Sequence, residues 1–375
     1  MGAARLTVPR PLGRLAQAAL VAALFWLTLF NLYQVYAAFP HKLVETDFRI
    51  WYAAASIGTH LGWSHLYDLA AQKAAVDAVW PGSRFLAFGD PPVAAWIVWP
   101  LTLVPFGPAL AIWTVLSLAV LVAFSQAFAP ADRLGRVIYA LSALGFLPTF
   151  VMVEAAPLSP IVFAGIGACA LLLIRGNNLV AGAVLSLIMV KLNVALLVPP
   201  ALLVAGYLRS VAAFVGSSAL LALAQLAALG VEGTRSMIAI NIGFFAETYH
   251  LTYSLEVLFG SRTAWLIAAA VISVLTLAAA YLSRRRGPLG PIAAGIAGSL
   301  LINHHLTPAD FIMLLLAIWL VLSLRPRIEI VVAGAALWAA GWASSLGLAW
   351  PVAVMEAVFI GAVATLSRNA PQTVE

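Results

Sequence analysis

The chain has 375 residues, of which 63% are hydrophobic and only 9% are charged, with a mean hydropathy of +1.02. This composition excludes a soluble globular protein and predicts a polytopic membrane protein. The net charge of +6 does not indicate a nucleic-acid partner, because the basic residues lie scattered at predicted helix ends and form no continuous stripe.

The first apolar run, from about Leu15 to Phe39, follows three arginines and has no small-residue cleavage site. We therefore predict a retained first helix that leaves the cytoplasm. A bilayer-spanning helix needs about 20 apolar residues, and short or tilted ones need about 17. On this basis further spans are predicted at 109–128, 136–152, 158–174, 179–191, 193–207, 211–230, 263–283, 288–303, 308–324, 328–345 and 348–367.

The predicted fold class is therefore an all-α polytopic membrane protein with about 12 transmembrane helices. Both termini lie in the cytoplasm on this path. Thirteen of the twenty basic residues then fall on the cytoplasmic side, which agrees with the positive-inside rule.

Two longer hydrophilic stretches fall on the opposite side of the membrane and belong to the same integral-membrane domain, 1–375. The first outer loop, 41–107, interleaves aromatic and polar residues, which is typical of juxtamembrane helices. Its last part, from Pro91, is short and flanked by prolines, so we expect it to lie in or re-enter the outer half of the bilayer. The second outer loop, 231–260, is rich in Phe, Tyr, His and Glu.

Ionisable side chains collect on this outer side. All six histidines and ten of the fourteen carboxylates are placed there by the predicted topology. Such groups are costly near lipid and gather where water and substrate meet the protein. The pattern predicts one extracytoplasmic reaction site.

An ordered set of short motifs resembles a known family. It comprises Asp47-Phe48 with Tyr52, Leu66-Tyr67-Asp68, Pro91-Pro92, Lys191 after a short apolar helix, and the block from Asn303 to Phe311. The chain resembles the polyprenol-phosphate-mannose-dependent glycosyltransferases of the GT-C superfamily, glycosyltransferase family 87. That family often has Tyr before the proline pair and Pro after the lysine, where this chain has Asp90 and Leu192.

The resemblance implies a GT-C fold and a glycosyltransferase that works on the extracytoplasmic face of a bacterial inner (plasma) membrane. The implied donor is a polyprenyl-phosphate sugar, most often mannose, and the implied acceptor is a glycolipid or glycan. The chain is similar to the mannosyltransferase that extends phosphatidylinositol mannosides. An arabinose or another pentose stays open as the donor sugar.

Asp47 is the candidate catalytic base. A sugar on a lipid phosphate is already activated, so the enzyme has to deprotonate an acceptor hydroxyl and stabilise the departing phosphate. Asp47 comes just after the first helix, where partial burial would raise its pKa toward that of a useful base. The alternative is a helix N-cap, since Asp is favoured there; the resemblance favours the base.

The candidates for binding the donor phosphate or sugar are Lys191, His305, His304 and Arg49, all placed on the outer side. Lys191 follows fifteen uncharged residues. Its alternative is a side chain that snorkels from a helix end to the interface. A histidine pair is otherwise a polar helix end, and the resemblance favours His305 as the contact to substrate.

Four further residues complete the predicted substrate site. Tyr52 enters through the resemblance, and Asp310 is expected either to orient a histidine or to cap a helix. Glu154 and His250 are candidates for contacts to sugar hydroxyls, with solvated loop residues as the alternative.

No metal site and no cofactor are predicted. The chain has no Asp-x-Asp pair, and adjacent histidines on a helix would point about 100° apart and would not chelate. The single cysteine, Cys169, lies in an apolar run. A membrane transporter or lipid flippase is the alternative function, although such proteins usually show internal repeats, and we find no second copy of the Asp47 or Asn303 segments.

Overall fold

The computed structural model describes residues 10–42, 46–82, 85–247 and 253–366. Within these ranges the chain forms α-helices joined by 3-10 turns, and it forms no strand. Arg10–Lys42 is α1, and α2 (Phe48–His60), α3 (Leu69–Val79) and α4 (Pro92–Val98) follow in the first outer loop. The remaining helices are α5 (Phe106–Phe128), α6 (Arg133–Leu144), α7 (Leu147–Ala155), α8 (Ser159–Ile174), α9 (Asn178–Leu185), α10 (Val198–Val204), α11 (Leu208–Glu247), α12 (Leu255–Phe259), α13 (Arg262–Ser283), α14 (Leu289–Ile302), α15 (Ile312–Ser323), α16 (Ile328–Ser345) and α17 (Ala349–Ala364).

Several of these helices are apolar, as a membrane-integral protein requires. Four described segments are long and apolar enough to cross a membrane by length and composition, and a bent pair of helices raises this to five. They are Leu15–Ala37, Phe106–Phe128, Leu208–Gly243 and Arg262–Arg286. Most of the other predicted spans coincide with shorter apolar helices, but 193–207 contains only the 7-residue helix α10, so the count of about 12 stays a prediction.

One predicted span is interrupted where the local sequence favours a break, and irregular backbone separates two others. The span 136–152 bends by 53° between α6 and α7, where Gly145 ends one helix and Pro148 lies in the first turn of the next. The pair 179–191 and 193–207 breaks into 3-10 turns on both sides of Lys191, whose φ of −151° is not helical. The structure thus provides irregular backbone beside Lys191.

The helix α11 extends further than predicted. Gly230 adopts φ +64°, a left-handed conformation that favours glycine, and the chain resumes helix to Glu247. Residues 231–247 of the predicted second outer loop are therefore helical. They include no proline, the residue that opposes a helix most strongly.

The buried apolar residues form two clusters. The larger one, here called the main core, joins α5 to α10 with α13 to α17. The smaller one, the loop core, gathers Phe48, Trp51 and Tyr67 with residues of α4 and α5. Because the loop core also includes Leu158 and Val190, it reaches the point where α8 begins and where the chain breaks before Lys191.

Candidate active site

The start of α2 sets the position of Asp47. The Asp47 backbone N–H donates to the Ala155 carbonyl at 2.9 Å, which ties this point of the first outer loop to the end of α7. Asp47 occupies the N-cap position, but its side chain makes no capping hydrogen bond. No described residue donates a hydrogen bond to its carboxylate. The alternative of a helix N-cap is therefore wrong for the side chain, which is available to another partner.

Burial raises the pKa of the Asp47 carboxyl to about 6. Nearby Lys191 opposes this shift, Asp90 and Asp310 add to it, and Arg49 opposes it. These influences show that groups from distant parts of the chain come within electrostatic range of Asp47. A carboxyl with this pKa is largely ionised at neutral pH and can still accept a proton.

Lys191 and Asp310 form a buried ion pair. The Lys191 Nζ lies 2.5 Å from Asp310 Oδ1, and the Lys191 side chain is only 16% exposed while Asp310 is fully buried. Lys191 does not snorkel to the membrane interface, so that alternative is wrong. Since an ammonium group has three donors, two of them have no acceptor among the residues that the structure describes.

Every oxygen of Asp310 is engaged by protein groups. Oδ1 also accepts from the Ser159 hydroxyl at 2.5 Å, and Oδ2 accepts from the backbone N–H and the hydroxyl of Thr307 at 3.1 and 3.0 Å. The carboxylate thus caps the turn Pro308–Phe311 and holds Lys191 in place. Of the two expected roles, the structure assigns Asp310 that of a cap.

The two histidines face different neighbours. They lie in a loop between α14 and the turn Pro308–Phe311, not on a helix, so the expected angle of about 100° between them does not apply. His305 lies near Lys191 and Asp310, and burial followed by the Lys191 charge lowers its pKa. His304 packs edge-on against Trp265, with ring centroids 6.0 Å apart. The structure places His305 beside the Lys191 ion pair and His304 against α13.

Asp90 is the residue that sequence reasoning missed. Burial raises its pKa, a hydrogen bond from Trp51 lowers it, and Lys191 and Asp310 also act on it. The available signal was its departure from the tyrosine usual before the proline pair. The presence of Asp90 instead of tyrosine indicated a changed site. It did not indicate that Asp90 would lie within electrostatic range of Asp47.

The remaining predicted residues have mixed outcomes. Arg49 is buried in α2 and lies within electrostatic range of Asp47. The Tyr52 hydroxyl donates to the Val104 carbonyl at 2.8 Å, which leaves it only as an acceptor for substrate.

Glu154 belongs to α7 and has a buried Oε1, so it is not a solvated loop residue. His250 lies outside the described residues.

The same groups do not form a metal centre in the part of the chain that the structure describes. No cluster of three or more His, Cys, Asp or Glu side chains there is placed to hold a metal ion. Cys169 is buried within α8. The described site brings together the Asp47 carboxylate without a described hydrogen-bond donor, the Asp90 carboxylate with one, and a lysine ion pair.

The chain is similar to a known family. The family model described as glycosyltransferase family 87 matches residues 88–308, which is more than half of the chain. The matched range includes Asp90, Lys191, His304 and His305, while Asp47 precedes it and Asp310 follows it. Neither a curated protein nor a solved structure matches the chain.

Proposed function

The chain belongs to glycosyltransferase family 87, and from that premise we propose that it transfers a sugar from a polyprenyl phosphate to a glycolipid or glycan. The proposed sugar is mannose. Family membership does not favour the transporter or flippase alternative. The observation that carries the proposed mechanism is the Asp47 carboxylate, buried beside a lysine ion pair and without a hydrogen-bond donor among the described residues.

In the proposed reaction, Asp47 accepts the proton of the acceptor hydroxyl as its oxygen attacks the anomeric carbon. The bond between that carbon and the phosphate oxygen breaks, and its electrons leave with the polyprenyl phosphate. The new glycosidic bond joins the sugar to the acceptor. A single displacement of this kind inverts the anomeric configuration.

The departing phosphate requires positive charge or hydrogen-bond donors. Lys191 supplies an ammonium that Asp310 holds in position and that has two further donors not engaged by any described residue. His305, beside that pair, supplies ring nitrogens. In this proposal His304 does not touch the phosphate, because it packs against Trp265.

The proposed location is the extracytoplasmic face of a bacterial inner membrane, with both termini in the cytoplasm. Supporting this, Asp47 of the first outer loop lies within electrostatic range of Lys191 and Asp310, and the positive-inside rule assigns both the first outer loop and the loop 303–307 to the outside. A lipid-linked donor and a membrane acceptor could both reach such a site from the bilayer.

The test is transfer from radiolabelled polyprenyl-phosphate mannose to a membrane lipid extract, catalysed by the full chain in lipid nanodiscs. Asp47→Asn keeps the shape of the side chain but cannot accept a proton, so we expect kcat to fall by about 10²- to 10⁴-fold. The matched control is Asp77→Asn, which removes a carboxylate of the same loop from α3 and should leave kcat unchanged.

Full transfer by Asp47→Asn would rule this residue out as the base. A product with retained anomeric configuration, measured by NMR, would rule out the single displacement. Melting temperatures of both variants, compared with the wild type, show whether any loss of activity reflects unfolding.

A further inference from the structure

Two hydrogen bonds to Asp90 and a third to the nearby Phe88 hold this part of the chain in a defined position. Its Oδ2 accepts from the Trp51 indole N–H at 2.7 Å, and its backbone carbonyl accepts from the Tyr67 hydroxyl at 2.5 Å. Two residues earlier, the Phe88 backbone N–H donates to the buried Gln72 side chain at 2.8 Å. An exposed loop carboxylate would not need this support, since surface side chains are free to move.

These bonds do not use the whole carboxylate. No described residue donates to Oδ1 of Asp90, so this oxygen can accept a hydrogen bond from a ligand. Asp90 is also not a helix cap, because α4 has Pro91 at its N-cap position. The hydrogen bond from Trp51 thus fixes the carboxylate while its other oxygen, Oδ1, has no donor among the described residues.

Asp90 lies near both the proposed base, Asp47, and the proposed phosphate-binding residue, Lys191. Trp51 lies one helical turn after Asp47 on α2, so its bond to Asp90 draws this carboxylate to the face of α2 that carries the base. Asp90 is also within electrostatic range of Lys191. In a direct displacement the transferred sugar lies between the base and the leaving phosphate.

The chemistry of a carboxylate decides which substrate group it meets there. An ionised carboxylate accepts hydrogen bonds from hydroxyls and repels phosphate oxygens. Hydrogen bonds to a charged acceptor are about twice as strong as neutral ones. A hydroxyl of the sugar ring therefore fits Oδ1 of Asp90, whereas the phosphate fits Lys191.

We propose that Asp90 is a specificity-determining residue that binds one hydroxyl of the sugar being transferred, with Trp51 and Tyr67 as positioning residues. The inference rests on the proposed function. It predicts that the enzyme distinguishes its donor from the one monodeoxy analogue that lacks this hydroxyl, because a site built to bind a hydroxyl discriminates against an analogue without it.

The experiment measures kcat/KM for the polyprenyl-phosphate sugar that the wild type transfers from a panel of hexoses and pentoses, and for the monodeoxy analogues of that sugar. We expect one analogue to be poorer than the parent by about 10- to 100-fold with the wild type. Asp90→Asn keeps an oxygen that can accept from Trp51. It should lower kcat/KM for the parent by a similar factor and leave that analogue unchanged.

Two further variants separate binding from folding. Trp51→Phe removes the indole donor, and we expect it to weaken discrimination against the same analogue while raising KM more than it lowers kcat. Asp77→Asn, the charge-matched control on α3, should leave the ranking of the analogues unchanged.

A uniform loss with Asp90→Asn across the parent and every analogue would overturn the assignment of Asp90 while leaving the proposed function intact. If the wild type transfers a sugar from none of the polyprenyl phosphates, the proposed function fails, and the role of Asp90 fails with it. Loss of discrimination against a single analogue supports both.

Discussion

Three carboxylates converge near one lysine, and their hydrogen bonds give them different roles. Asp310 has protein donors on both oxygens, Asp90 has one donor on one oxygen, and Asp47 has none among the described residues. An oxygen that already accepts strong hydrogen bonds is a poorer base, because those bonds favour its ionised form. Asp47 is therefore the best placed of the three to take a proton.

The pH dependence of the reaction follows from the Asp47 environment. A base with a pKa of about 6 is mostly protonated below that pH, so kcat/KM should fall as pH drops through about 6 and reach its plateau about one pH unit above it. The charged groups that act on Asp47 are Lys191, Arg49, Asp90 and Asp310. A pH–rate profile of the wild type measures this limb.

The Asp90→Asn variant should shift the same pH–rate profile in a defined direction. Asp90 raises the pKa of Asp47, so removing its charge should move the acid limb to lower pH. A limb that stays in place would show that Asp90 and Asp47 do not interact in the folded enzyme.

Substitutions at Lys191 and Asp310 are predicted to have non-additive effects on the free energy of unfolding. Removing one partner of a buried pair leaves an uncompensated charge, so Lys191→Met should cost about 3–5 kcal/mol of unfolding free energy. The double variant Lys191→Met/Asp310→Asn should cost clearly less than the sum of the two single variants. Unfolding of all four proteins in detergent measures this cycle, and additive costs would contradict the pairing.

Among the elements, α9 and α11 pack tightly against each other at a glycine. A Cβ added at Gly182 would lie 1.9 Å from the Ser210 carbonyl oxygen, which is backbone and cannot rotate away. Small residues permit this kind of close approach between membrane helices. The contact positions α9, and with it the break that carries Lys191, against the long helix.

Gly182→Ala is therefore predicted to destabilise the fold by about 1–3 kcal/mol or more through overpacking. Gly216→Ala is the control, because it lies on α11 with open space around it and should be neutral or stabilising by up to about 1 kcal/mol. Melting temperatures in detergent distinguish the two. Equal effects at both positions would show that α9 and α11 do not pack as described.

For the whole molecule, the exposed surface is consistent with lipid contact. Leu220 and Leu223 of α11 and Val274 of α13 are each more than 60% exposed although they are large and apolar. Apolar surface of this extent marks an interaction with another apolar phase. In a chain with this composition, that phase is the bilayer.

The predicted orientation can be tested by cysteine labelling. Ala74→Cys on α3 lies in the first outer loop and Arg285→Cys follows α13, and both positions are exposed. The native Cys169 is buried. A membrane-impermeant maleimide added to intact cells should label Ala74→Cys, whereas Arg285→Cys should react only after permeabilisation. The opposite labelling pattern would show that the predicted orientation in the membrane is inverted.

The sequence by itself determined the membrane class, the positions of the apolar helices and the family, because these depend on composition and on short motifs. It also singled out Asp47, Lys191 and His305 as site candidates. Local signals of this kind act over one helix and do not require knowledge of its neighbours.

Only the tertiary structure decided which polar groups meet. Asp310 pairs with Lys191 across 119 residues of chain, and Trp51 reaches Asp90 across 39. Hydrogen bonds and charges are satisfied by whichever partner packing brings close, so neither contact could be inferred from spacing. The role proposed for Asp90 in particular depends on the contact between α2 and the segment before α4.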